Sequence, residues 1–216
     1  MGIDMGKVIA VLNQKGGAHK TTISTNLAYE AARCGYTVLL VDSNYAQRSA
    51  SIWHETGEDK PLIHLVAMDN GIDKAIEGLK SGYDFIFIDG KPGVHRQAAQ
   101  SIKAADMVLI PVQPSPYDIW ACEDVAELAK ERQTITDGKP FTAFIRSGCR
   151  KGGKLSGEID NALRDVNLPM LSSITTYLDD YKMSGLGVGV TAKNPDSSKA
   201  SHEIRKLFKE IVTLIK

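Results

Sequence analysis

The chain has 216 residues, 43% hydrophobic and 24% charged, enough to bury a large core in one domain without disulfide or metal staples. Its 26 Lys and Arg balance 26 Asp and Glu, which argues against a generally polybasic nucleic-acid binder and leaves only a local basic face open. Cys34, Cys122 and Cys149 stand far apart with no CxxC or Cys/His pairing, so a reduced, cytoplasmic protein is expected. Met1–Gly6 carries no signal-peptide pattern, and no apolar run approaches the ~20 residues that span a bilayer.

In chain order, Lys7–Leu12 (KVIAVL) reads as a buried strand and Thr21–Cys34 as a helix ended by Gly35. Thr37–Asp42 (TVLLVD) is a second strand, Ala46–Glu55 a helix, Ile63–Ala67 a weaker strand and Gly71–Lys80 a helix. Asp84–Asp89 (DFIFID) and Met107–Val112 (MVLIPV) are strong strands, succeeded by a helix over Asp118–Gln133 and a strand over Phe141–Arg146. Leu155–Val166 reads as a helix, Met170–Ile174 as a short strand, Gly185–Pro195 as a loop and Ser198–Lys216 as the last helix. Continuous apolar strands alternating with helical patterns predict an α/β, doubly wound, mostly parallel sheet with helices on both faces. Residues 1–216 read as a single domain, with no internal repeat.

In such sheets ligands bind beyond the carboxyl ends of the strands. Three strand ends carry chemistry. The first is Asn13-Gln-Lys-Gly-Gly-Ala-His-Lys-Thr-Thr22, lying between a strand and a helix. Glycines let backbone N–H groups converge on phosphate oxygens, and the helix N-terminus favours an anion. Lys15, Gly16, Gly17, Ala18, His19, Lys20, Thr21 and Thr22 are therefore the candidate nucleotide-binding residues. Lys20 is expected to neutralise β- and γ-phosphate charge, and Thr21 to place a hydroxyl on Mg²⁺. The other two strand ends carry Asp42 and Asp89, carboxylates placed to organise Mg²⁺ and water. Alone, each Asp reads equally as a helix cap or turn residue; two beside one phosphate loop favour the site.

These motifs resemble the ParA/MinD family of deviant-Walker P-loop ATPases, on the ParA side. The family loop Lys-Gly-Gly-x-Gly-Lys-Thr-Thr/Ser stands here as KGGAHKTT, and TVLLVDSNYAQRSASIW, YDFIFIDGKPG, AADMVLIPVQPSPYDIWA and NPDSSKASHEIRKLFKEI extend the likeness through most of the chain. The resemblance implies ATP and Mg²⁺ as cofactors and an ATP-sandwich homodimer in which Lys15 reaches the partner's phosphates. It implies Lys15, Lys20, Asp42 and Asn44 as catalytic positions, nonspecific DNA as a track, and a ParB-like or other adaptor that stimulates slow hydrolysis. A cytoplasmic, nucleoid-associated protein that positions or segregates a plasmid, chromosome or protein cargo is expected. No helix-turn-helix extension is expected before the ATPase domain.

The sequence departs from that pattern at four places. His19 replaces a glycine, Asn44 replaces an aspartate tied to hydrolysis, Tyr45-Ala46-Gln47 replaces Pro-Gln, and Lys91 replaces a proline or small residue. Asn44 can hydrogen-bond a water but cannot take its proton, so a hydrolysis-defective switch is the second reading. The Asn-Arg base contact of the family is also not evident, since Ser147-Gly148 stands there. Two basic groups, Arg150, Lys151 and Lys154, and Lys199, Arg205 and Lys206, are the candidate DNA contacts by resemblance; spacing alone allows a solvated face equally. Ile204, Leu207, Phe208, Ile211, Val212 and Ile215 recur at helical spacing near the end. A MinD-like membrane helix is one reading, and a helix packed on the sheet is the preferred one.

Overall fold

The structure is a computed structural model, and it describes residues 6–57, 60–93, 96–150, 161–192 and 198–215. The strands are β1 (Lys7–Val11), β2 (Val38–Asp42), β3 (His64–Ala67), β4 (Phe85–Asp89), β5 (Met107–Val112), β6 (Phe141–Cys149) and β7 (Met170–Thr176). They form one seven-stranded sheet in the order β3-β2-β4-β1-β5-β6-β7, and every pairing is parallel. The doubly wound expectation is met.

Helices α1 (Lys20–Arg33), α2 (Ser49–Thr56), α3 (Ile72–Leu79), α4 (Arg96–Ala104), α5 (Pro116–Thr134), α6 (Asp179–Ser184) and α7 (Lys199–Leu214) connect or flank the strands. Strand side chains alternate between the two faces, so each strand feeds two cores. Ile9, Val11, Leu40, Phe85, Phe87 and Leu109 pack with Ile23 and Leu27 of α1 and Leu207, Phe208 and Ile211 of α7. Val8, Ala10, Val41, Ile86, Ile88 and Val108 pack on the other face with Ile72 and Ile76 of α3, Ile102 of α4 and Val125 of α5. Burial on both faces is why these strands read as continuous apolar runs rather than alternating ones.

The terminal helix is packed on the sheet, in line with the preferred reading. Leu207, Phe208 and Ile211 are buried there, with Phe208 edge-on to Phe85 at 5.3 Å. No helix among the described residues is long and apolar enough to cross a membrane. The predicted helix over 155–166 lies outside the described residues as far as 160, and its remaining portion ends in a 3-10 turn at Arg164–Val166.

The topology positions the site. The chain leaves β1 toward β2 on one side and, after β4 fills the gap between them, passes to β5 on the other. Val11, Asp89 and Asp42 end three neighbouring strands on one rung, since Val11 pairs with Asp89 and Asp42 pairs with Asp89. The glycine-rich loop and both strand-end carboxylates thus share the switch point of the sheet.

Candidate nucleotide site

The loop after β1 is anchored at its root. Asn13 donates from Nδ2 to the Pro111 carbonyl at 2.7 Å and accepts from the Lys15 N–H at 2.8 Å. Gly17 adopts φ 77°, a left-handed conformation that glycine takes without a Cβ penalty. Gln113, just past β5, donates to the Gly17 carbonyl at 2.8 Å. Helix α1 then begins at Lys20, so the free N–H groups of its first turn face the loop.

Lys20 is buried and donates to the Lys15 carbonyl at 2.8 Å, folding its ammonium into the loop. Burial draws its pKa down to about 8, against the pull of the Asp89 carboxylate. Thr21 donates its hydroxyl to Asp89 Oδ2 at 2.7 Å, and Ser24 donates to Asp89 Oδ1 at 3.3 Å. Asp89 is 2% exposed, and burial pushes its carboxyl up to about 7, opposed by the Thr21 hydrogen bond and raised further by Asp42. A hydroxyl and a carboxylate converging at the phosphate loop are hard oxygen donors of the kind Mg²⁺ takes.

Asp42 is arranged differently. Its Oδ2 accepts from the Ser51 N–H at 2.9 Å and the Ser51 hydroxyl at 2.8 Å, and its Oδ1 accepts from the Asn44 N–H at 3.0 Å. This carboxylate clamps the first turn of α2 to the end of β2, and it does not line the phosphate cavity. Asn44 does line it, with its side-chain amide donating to Gln47 Oε1 at 2.8 Å. That cavity, about 280 Å³, is bounded by Gly16, Gly17, Lys20, Thr21, Asp89 and Asn44 among others.

Lys15 reaches away from the loop to Asp118 Oδ2 at 2.8 Å, in the first turn of α5. Asp118 is 2% exposed, and its Oδ1 is buried without a hydrogen-bond partner among the described residues. In the sequence Asp118 reads only as the start of a helix. Asp118, Gln113, Ser24, Ser147 and Thr175 all touch the loop or its neighbours, and no spacing signal announces them.

His19 precedes α1 in the left-handed region, at φ 63° and ψ 21°. Its Nδ1 lies 2.9 Å from Ser147 Oγ, and burial holds its pKa below the usual imidazole value, partly offset by Asp118. Beside it opens a second cavity of about 200 Å³, lined by His19, Thr22, Ile23, Thr175, Tyr177 and Leu178 among others. Of the candidate DNA contacts, Arg150 lies over the Tyr177 ring at 5.8 Å. Lys199 and Arg205 approach Glu203 and Glu30 at 3.6 and 3.8 Å, and Lys206 reaches the Ser172 carbonyl at 3.5 Å. Lys151 and Lys154 lie outside the described residues.

Residues 6–64 and 54–139 match the family described as AAA domain. The chain is 38% identical over 214 residues to the maintenance of carboxysome distribution protein A of Gloeobacter kilaueensis, covering 95% of this chain and 94% of that protein. Its fold matches the Pyrococcus furiosus cell division ATPase MinD with a TM-score of 0.80 at 19% identity, covering 97% of this chain and all of that one. It also matches the septum site-determining protein MinD of Pyrococcus horikoshii, solved with Mg-ADP, with a TM-score of 0.79 at 17% identity over 96% of each chain. The chain belongs to the ParA/MinD family of deviant-Walker P-loop ATPases.

Proposed function

We propose that the chain is an ATP-dependent positioning ATPase of the ParA kind. The observation that carries the reading is the convergence of Lys20, Thr21 and Asp89 at a glycine-rich loop that opens a helix. Lys20 and the N–H groups of the loop and first helical turn would hold the β- and γ-phosphates. Thr21 and Asp89 would hold Mg²⁺, which supplies charge neutralisation on the phosphates. Asp42 would act from behind, fixing the loop that carries Asn44. The cavity between α1 and the end of β7 suits a base and ribose, with Ile23, Tyr177 and Leu178 as its apolar surface.

In this reading a second protomer completes the site. Lys15 would exchange the Asp118 carboxylate for a phosphate of the partner, so the buried Asp118 holds the lysine until that exchange. The dimer would bind nonspecific DNA through the basic groups at Arg150, Lys151 and Lys154 and at Lys199, Arg205 and Lys206, on the nucleoid of a cytoplasm. An adaptor, ParB-like or other, would stimulate hydrolysis and release. The carboxysome role named for the Gloeobacter relative supports a protein assembly as cargo beside a plasmid or chromosome.

Asn44 supports a second reading, a nucleotide switch that turns over little. Its carboxamide lines the phosphate cavity where a carboxylate would be needed to accept a proton from water. Phosphate release from Mg-ATP, with and without DNA, separates the two. Ready turnover by the native chain rules out the switch; a large rate gain in Asn44→Asp and His19→Gly supports it.

A further inference from the structure

His19 is bound on three sides. Besides the contact with Ser147, its Nε2 lies 3.4 Å from the Gln113 side-chain nitrogen, and Ser147 in turn accepts from the Thr175 hydroxyl at 3.1 Å. With the Gln113 amide donating to Nε2, the neutral ring carries its hydrogen on Nδ1 and donates it to Ser147 Oγ, which accepts from both His19 and Thr175. The ring is also seated on bare backbone. Gly148 sits at φ 63°, and a Cβ there would lie 2.7 Å from His19 Cε1 and 3.2 Å from Nδ1. Real Cβ contacts are essentially never as short as the first, so the imidazole occupies space that only a glycine at 148 leaves open.

The location gives this contact its meaning. His19 and Thr22 line both the phosphate cavity and the neighbouring cavity under Tyr177 and Leu178. The imidazole is therefore a wall at the junction, where the phosphate and nucleoside halves of one ligand would meet. A non-glycine residue in the left-handed region crowds its Cβ against the backbone. Here the hydrogen bond to Ser147 and the packing on Gly148 hold it in place.

We propose that His19, seated on Gly148 and tied to Ser147, is the specificity-determining residue that makes this loop bind a nucleoside triphosphate in preference to a bare triphosphate. The inference rests on the nucleotide-binding reading of the loop. It assigns the discrimination to a residue of the phosphate loop itself, supported from the ends of β6 and β7. Gly148 and Ser147 act through His19 and are positioning residues.

The test compares Mg-ATP with Mg-tripolyphosphate, by equilibrium titration, on the native chain and on His19→Gly, His19→Asn, Gly148→Ala and the His19→Gly/Gly148→Ala double variant. The readout is the ratio of the two affinities, which a general loss of folding would leave alone. The native ratio is expected to be tenfold or more, and His19→Gly is expected to narrow it at least threefold. Asn keeps a hydrogen-bonding atom as far from Cα as the imidazole Nδ1 and tolerates the left-handed region, so it should restore part of the ratio. Gly148→Ala should narrow the ratio in the native background and change it little once His19 is glycine. An unchanged ratio in His19→Gly overturns the proposal, as does an equal effect of Gly148→Ala in both backgrounds. If the native chain binds neither ligand, the nucleotide reading itself fails, which is a different result.

Discussion

At the scale of single residues, the site buries an acid and a base whose charges act on each other. Asp89 is raised to about 7 by burial and Lys20 is lowered to about 8 by burial. Proton linkage sets the sign of each effect on stability. From the ordinary carboxyl value up to about 7, the folded chain keeps a proton on Asp89 that the unfolded chain has lost, so stability falls as pH rises. Above about 8 the unfolded chain keeps the Lys20 proton that the folded chain has lost, so stability recovers as pH rises toward the ordinary lysine value. In the metal- and nucleotide-free protein, Asp89→Asn should remove the first slope. Urea unfolding should show the variant gaining about 2–4 kcal/mol on the native chain between pH 4 and pH 7. A constant difference across that range contradicts the burial argument. His19 is only half legible in the sequence. The glycine-to-histidine departure is plain in the sequence, but its partners Ser147 and Gly148 lie more than a hundred residues away and only the sheet order brings them together.

At the scale of elements, legibility tracks burial. The strands are readable because both faces are covered, which leaves apolar runs such as FIFID and MVLIPV. Helix α4 is not legible in the same way: Arg96–Ala104 is polar and alanine-rich, and Ala98, Ser101, Ile102 and Ala104 are its only buried residues. Helix α6 is too short to show a period. Strand β6 runs on to Cys149, past the predicted end at Arg146, through register shifts against β7 that no alternation pattern marks. The terminal helix makes the strongest prediction here. Its apolar stripe is occupied by α1 and the sheet, so Leu207→Ala should cost about 2–5 kcal/mol in chemical denaturation, while Lys209→Ala on the exposed side should change stability by less than ~0.5 kcal/mol. The same burial predicts that the folded protein stays in the dense fraction when floated with anionic vesicles; co-flotation of folded protein would show that the stripe can be released.

At the scale of the whole molecule, the sheet gathers three strand ends on one rung and delivers the loop, Asp89 and the cavity near β7 to one edge. That architecture is legible from the alternation of apolar runs and helices. The pairing of Lys15 with Asp118 is not, because it joins the loop to a helix 103 residues on. Basic residues lie both at the end of β6 and on α7, so DNA binding, if it uses Arg150, should be sequence-independent and fall steeply between 50 and 200 mM salt, by ~10³-fold or more for six phosphate contacts. Absence of binding even at low salt would exclude DNA as the track.

In the proposed function, Lys15–Thr22 is a nucleotide-binding loop in which Lys20 meets the phosphates. Calorimetric titration of Mg-ATP into the native chain and into Lys20→Ala tests it most directly. The native protein should show one site per chain, and the variant, with unchanged circular dichroism, should bind at least tenfold more weakly. Absence of binding to the native chain, or equal binding by the two, would contradict it.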